Sequence, residues 1–390
     1  MGRILFGSEF GANLGHIYPM LRVADVLSAQ GHEIIFAARD VTQTYAAVTE
    51  KGYKVVPAPY WINPPIPNLR NIATPSYADV LVRQGFGHRG NLAAMFSAWA
   101  HLINFLKPDL VIADHSPGMS LAARNVVPMI NMGNGFTLPP TDIETYPPII
   151  ARGKTLLPQA RLLSIINDVL RENGRHILDA VPQIFDTEGQ YVCTVPQLDP
   201  YAHVSPRLTV GPLEKNMEFM PLPDMPHVFV YMAYEGKTQA NLLAALEKTG
   251  MSATVFMREA PHAILDRYQS AQIEMLDRPA DFAEILPKSS LVIHSGGGGT
   301  ATACLMTGRP QLTFPTHSET MLNSKLMAAA GVAKAFHSNI SPELLITYIE
   351  DAVADEAMRT RAVAVAKELS NGDWRSALQK ITAHAFELMP

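Results

Sequence analysis

Residues 291–300 read LVIHSGGGGT, a short apolar run that passes into four consecutive glycines and then into a helical stretch. That order constrains the chain more than anything else in it. An apolar run of this length is a buried strand, and glycines without Cβ atoms let the backbone come close to a ligand. The first N–H groups of the following helix then point at that ligand with the positive end of the helix dipole. An anion such as a diphosphate suits the place. His294, at the carboxyl end of the strand, can donate to a phosphate oxygen, and ligands of open α/β sheets bind along that edge. A glycine turn serving helix-to-sheet packing alone needs fewer than four glycines. The run has no closing Lys-Ser/Thr, which disfavours a kinase or ATPase, and it lacks the G-x-G-x-x-G spacing of dinucleotide sites.

Short apolar runs alternate with helix-length amphipathic segments through both halves of the chain, the pattern of parallel sheets covered by helices, so the expected class is α/β. Arg3–Phe6, Ile17–Gln30 and Glu33–Ala37 make an opening βαβ unit, and Leu110–Ala113 and Pro128–Asn131 continue the sheet. The stretch from Val210 to His227, VGPLEKNMEFMPLPDMPH, has neither helical nor strand periodicity and reads as a connection. Beyond it the alternation restarts at Val228–Met232, Ala253–Met257, Ile273–Leu276, Leu291–His294 and Pro310–Phe314. At 390 residues two domains are expected. We read a first domain over 1–215, a second over 225–370, and a final helix within 371–390 that could pack across both.

Charged residues are 17% of the chain and the net charge is −5, so no basic field exists to hold a nucleic acid. The apolar stretch Leu92–Leu106 is broken by Ser97, His101 and Asn104 and is too short to span a membrane; it reads as a core or pocket helix. The first ten residues read as a buried strand rather than a secretory signal. Cys193 and Cys304 are too few and too far apart for a disulfide framework or a zinc site, so unpaired thiols and a cytoplasmic location are expected. Two proline-rich segments, Pro57–Pro75 and Pro139–Pro148, read as long ordered loops. The aromatic residues Tyr60 and Trp61, with Phe96 and Trp99 on the neighbouring helix, suggest an apolar acceptor pocket, the alternative being that each ring simply packs its own loop or helix.

The series His294-Ser-Gly-Gly-Gly-Gly-Thr300, Gly308-Arg-Pro310, Phe314-Pro315 and Glu319 with Asn323 resembles the donor-binding signature of the UDP- and TDP-dependent glycosyltransferases that include natural-product enzymes. The resemblance implies the GT-B architecture, two doubly wound Rossmann-like domains facing a cleft. It also implies that His294 and the amides of Gly296, Gly297, Gly298, Gly299 and Thr300 hold the donor diphosphate, and that Glu319 binds sugar hydroxyls. Thr320 stands where the family commonly has Gln, and Thr302 where many members have a ribose-binding Glu. Arg278 and Pro279 lie in the stretch that resembles the base-binding loop. Gly15-His-Ile-Tyr-Pro19 and Gln30-Gly-His-Glu33 are similar to the family's opening unit, which implies that His16 is the catalytic base and Asp114 its orienting carboxylate.

The expected activity is therefore inverting transfer of a hexose from a UDP- or TDP-linked donor to a hydroxyl of a small acceptor. A neutral imidazole suits removal of the hydroxyl proton. Backbone amides and a helix dipole would take the charge of the departing diphosphate, so neither a metal nor a cofactor is expected, the nucleotide sugar being a co-substrate. A nucleotide-sugar epimerase and a non-catalytic nucleotide-sugar binding protein are the alternatives.

Overall fold

The computed structural model describes residues 1–11, 14–60, 75–150, 153–213, 217–336, 340–372 and 376–389. The chain divides into two compact units, one of Met1–Glu214 with Trp374–Pro390 and one of Lys215–Asp373. Each is built on a parallel six-stranded sheet, the architecture expected from runs of Ile, Val, Leu and Phe with no polar face between them.

In the first unit the strands are β1 (Arg3–Ser8), β2 (Glu33–Ala38), β3 (Lys54–Pro57), β4 (Leu110–Asp114), β5 (Met129–Gly133) and β6 (Gly189–Val192), ordered β3-β2-β1-β4-β5-β6. Ile4 of β1 lies opposite Ile34 of β2 and Leu110 of β4. The order reverses between β1 and β4, and such a switch point leaves a crevice at the carboxyl ends of the strands. One face of the sheet is covered by a core that includes Trp99, Phe96 and Met119, the other by a core around Ile17, Leu21 and Leu27 of the helix Leu14–Ala29. The final helix, Ala377–Leu388, adds Ile381 and Ala385 to the second of these cores. Its His384 Nδ1 lies 2.9 Å from the Tyr191 hydroxyl on β6.

The second unit repeats the plan with β7 (His227–Ala233), β8 (Ser252–Arg258), β9 (Ile273–Leu276), β10 (Leu291–His294), β11 (Gln311–Thr313) and β12 (Ala333–Ala335). Their order, β12-β11-β10-β7-β8-β9, again reverses once, between β7 and β10, where His294 lies opposite Tyr231. Val228, Val230, Val255, Leu291, Ile293 and Leu312 fill one core of this unit.

Candidate active site

Two of the residues singled out in the sequence meet at the first switch point although 98 positions separate them. His16 lies in the first turn of the helix Leu14–Ala29, and Asp114 is the last residue of β4. His16 Nδ1 is 3.1 Å from Asp114 Oδ2, and the two side chains are 17% and 6% exposed, so the pair is screened from water without being sealed. Pairing of Nδ1 with a carboxylate leaves Nε2 as the basic nitrogen of the imidazole. Pro19, inside the same helix, cannot donate to the Gly15 carbonyl one turn back. Gly11 has to be glycine. A Cβ there would stand 2.4 Å from the His16 ring and 2.6 Å from Ser8 Oγ, so the ring lies directly on the backbone leaving β1.

Around this pair lies a set of buried polar groups. His115, next to Asp114, adopts a left-handed backbone with φ of 53°, a conformation that costs a non-glycine residue roughly 1–3 kcal/mol and has to be held by its surroundings. Its carbonyl accepts from Phe10 N–H at 3.0 Å. Its ring sits 5.7 Å from that of His16 and is packed by Phe10, Tyr77 and Phe136. Burial, reinforced by the His16 and Arg39 charges, holds the His115 imidazole well below the ordinary histidine range. Glu9, wholly buried, has its carboxyl pushed up to about 8 by desolvation, which outweighs the hydrogen bond from Gly118 N–H and the charge of Arg39. Glu9 is the main residue of this region that sequence reasoning passed over. The available signal was an acid placed directly after a buried strand, which otherwise reads as an interruption.

In the second unit β10 ends at His294 and the helix Gly298–Thr307 begins after three intervening residues. Gly296 has φ of 85°, and a Cβ on it would stand 2.7 Å from the Thr320 carbonyl oxygen and from Ser324 Oγ. Asn323 Nδ2 donates to the Gly296 carbonyl at 3.0 Å, which fixes the turn. Gly297 caps the helix, and nothing lies within 4 Å of the position its Cβ would take. The first helical bond of this stretch runs from Ala301 N–H to the Gly297 carbonyl. The amides of Gly298, Gly299 and Thr300 therefore precede the ladder, as the first N–H groups of a helix do.

Several expectations are corrected. The His294 side chain has both ring nitrogens engaged within its own unit: it is 1% exposed, its Nδ1 accepts from Gly296 N–H at 3.1 Å, and its Nε2 faces Gln311 Oε1 at 3.0 Å. Burial lowers its pKa to about 4, so the ring is neutral and holds the glycine turn in place. Thr320 is likewise committed. Its Oγ1 accepts from Thr316 and His317 N–H and donates to the His317 carbonyl, fixing the start of the helix Ser318–Ala329. Phe96 and Trp99 are core residues, 1% and 0% exposed; Trp99 and Met119 occupy the space beside Gly7 of β1. Tyr60 is 39% exposed beneath the Arg39 guanidinium, 5.1 Å from its ring centre. Trp61 lies outside the described residues. Glu319 is half-buried in the first turn of its helix, Thr302 is buried on the helix after the glycines, and Arg278 and Pro279 are exposed after β9. Cys193 and Cys304 are free thiols. Among the described residues no cluster of His, Cys, Asp or Glu could hold a metal ion, and no helix is long and apolar enough to cross a membrane.

Twin parallel sheets, each with one reversal of strand order, a His–Asp pair at one switch point and a glycine turn opening a helix at the other define an α/β protein of the GT-B kind. Residues 276–374 match the family described as the C-terminal domain of erythromycin biosynthesis protein CIII-like proteins. The chain is 24% identical to an uncharacterized glycosyltransferase of Methanosarcina acetivorans, over 96% of this chain and 94% of that one. It is 25% identical to the L-demethylnoviosyl transferase of Streptomyces niveus, over 84% of this chain and 83% of the other. The spinosyn rhamnosyltransferase SpnG, solved with thymidine diphosphate, shares the fold with a TM-score of 0.66 at 17% identity, covering 98% of this chain and 100% of SpnG. By these likenesses the chain is a glycosyltransferase, similar in sequence and fold to enzymes that act on natural products.

Proposed function

We propose that the enzyme transfers a hexose, with inversion, from a UDP- or TDP-linked donor to a hydroxyl of a small-molecule acceptor. The observation that carries this reading is the His16–Asp114 hydrogen bond at the β1/β4 switch point, 3.1 Å long and largely shielded from water. Asp114 holds the imidazole with its proton on Nδ1, so Nε2 removes the acceptor proton as the hydroxyl oxygen attacks the anomeric carbon. The buried carboxylate then steadies the imidazolium that forms. The C–O bond to the diphosphate breaks in the same displacement, which inverts the centre.

The donor is assigned to the second unit. Its diphosphate fits the amides of Gly298, Gly299 and Thr300 above the open side of Gly297, where the helix dipole and N–H groups offset the charge of the leaving group without a metal ion. Because both His294 ring nitrogens are engaged by Gly296 and Gln311, the diphosphate is assigned chiefly to these amides. Glu319 is assigned to the sugar hydroxyls, and the stretch around Arg278 and Pro279 to the base. The thymidine diphosphate bound by SpnG favours a thymidine-linked donor.

The test is replacement of His16 with Ala, read as thymidine diphosphate released from a thymidine diphosphate sugar in the presence of an alcohol acceptor. Turnover is expected to fall about 10²–10⁴-fold while nucleotide affinity is unchanged. Near-normal turnover across neutral pH would remove His16 from the chemistry.

A further inference from the structure

His16 follows the backbone that leaves β1, Asp114 ends β4, and a fully buried carboxyl joins the segments beside them. Glu9 Oε2 accepts from Gly118 N–H at 2.7 Å across 109 residues. One residue later Phe10 N–H donates to the His115 carbonyl at 3.0 Å, and Arg39 Nη1 donates to the Phe10 carbonyl at 3.1 Å. The segment Glu9-Phe10-Gly11 is thus fastened at two points to His115 and Gly118. On its Gly11 end lies the His16 ring, and beside its His115 fastening lies Asp114.

Gly118 is matched to this contact. A Cβ on it would stand 2.7 and 2.8 Å from the two Glu9 oxygens, so a side chain at 118 would force the carboxyl to shift from its place on the amide. A buried acid of this kind costs free energy. Ser8 Oγ has no hydrogen-bond partner among the described residues, and Ser116 and the Met119 amide, which lie beside the Glu9 carboxyl, offset only part of its burial. A core built for stability alone would be served by an apolar side chain of the same volume.

We propose that Glu9 is a positioning residue of the transfer reaction, clamping the loop under His16 to the segment that follows Asp114 so that the Nδ1–carboxylate bond is held in register. The inference rests on the reading of His16 and Asp114 as a working pair. The Glu9 carboxyl acts as an uncharged acid, so glutamine, which keeps an acceptor for Gly118 N–H and a donor beside it, is its nearest replacement. Methionine fills the same space without the acceptor.

The experiment is long-range nitrogen–proton NMR of the full chain labelled on histidine nitrogens, which reports the nitrogen that carries each imidazole proton. The chain has 13 histidines, so the His16 signal is assigned by its loss in His16→Asn. In the parent chain and in Glu9→Gln the proton is expected on His16 Nδ1. In Glu9→Met and in Gly118→Ala, which drives a methyl into the carboxyl from the other side, that signature is expected to be lost, with the other histidine signals in place. Should one of these two fail to fold by circular dichroism, the other decides. Retention of the parental His16 signature in the folded variant overturns the proposal. Asp114→Asn separates the two claims. If it removes the signature while Glu9→Met and Gly118→Ala keep it, the dyad stands and the clamp falls; if it too leaves the signature unchanged, both fall.

Discussion

His16 and His294 each stand at the carboxyl edge of a parallel sheet beside the point where the strand order reverses, His16 in the helix after β1 and His294 at the end of β10, and they have opposite fates. His16 belongs to the first turn of a helix, remains 17% exposed and shares one nitrogen with Asp114. His294 is the last residue of β10. Its side chain is enclosed by its own unit, both ring nitrogens are engaged, and burial brings its pKa to about 4. The difference teaches that a histidine at such a sheet edge is left accessible or enclosed according to what its neighbours leave solvated. The loop that follows decides the same way, since Gly296 serves the turn and Gly297 faces open space.

The two glycines give the largest expected effects among the ways to break this comparison. Gly296→Ala must place a Cβ 2.7 Å from the Thr320 carbonyl at φ of 85°, a strain of roughly 1–3 kcal/mol, so both stability and thymidine diphosphate affinity should fall. Gly297→Ala should leave the ligand-free melting temperature nearly unchanged, because its Cβ meets nothing, while still reducing affinity if the anion lies there. Thermal melting with and without thymidine diphosphate reads both. An unchanged ligand shift in Gly297→Ala would place the diphosphate elsewhere.

A pH-dependent effect belongs to Glu9. Its folded-state pKa of about 8 lies above the ordinary value of 4.5, so the folded chain keeps a proton that the unfolded chain releases. Stability contributed by this group falls as pH rises from about 4.5 to about 8 and levels off beyond. Glu9→Gln removes that slope, and its melting temperature should gain on the parent across the same window. Parallel curves from pH 5 to 9 would show that the carboxyl ionises freely. The smallest effect is a null one: His294 stays neutral through this range, so it should contribute no rise in thymidine diphosphate affinity between pH 8 and pH 6. A rise that His294→Gln abolishes would restore the ring as a charged phosphate contact.

Much of the fold was legible because parallel strands buried on both faces read as continuous apolar runs. β1, β2, β4, β5 and β7 to β11 all fall where those runs lie. β3, β6 and β12 were not read. Lys54–Pro57 and Ala333–Ala335 form the two ends of their respective sheet orders, and Gly189–Val192 carries Gln190 and Tyr191 on a terminal strand, so none has an uninterrupted apolar signature. The pairing of His16 with Asp114 was reachable only through resemblance, since nothing local joins residues 98 apart. Phe96 and Trp99 were misread because an aromatic stripe on a helix looks the same whether it lines a pocket or a core. The commitments of the Thr320 hydroxyl and the His294 ring depend on Thr316, His317 and Gln311, which come together only in the folded unit.

The most direct measurement of the central claim is a double-mutant cycle of turnover on His16→Ala and Asp114→Asn, with nucleotide affinity measured alongside. Residues that act as one unit give non-additive losses. The account predicts that Asp114→Asn lowers turnover by as much as His16→Ala or somewhat less, that the double variant is scarcely worse than His16→Ala, and that nucleotide affinity is the same in all four proteins. Losses that multiply in full in the double variant would contradict it, because the two side chains would then act independently despite their 3.1 Å contact.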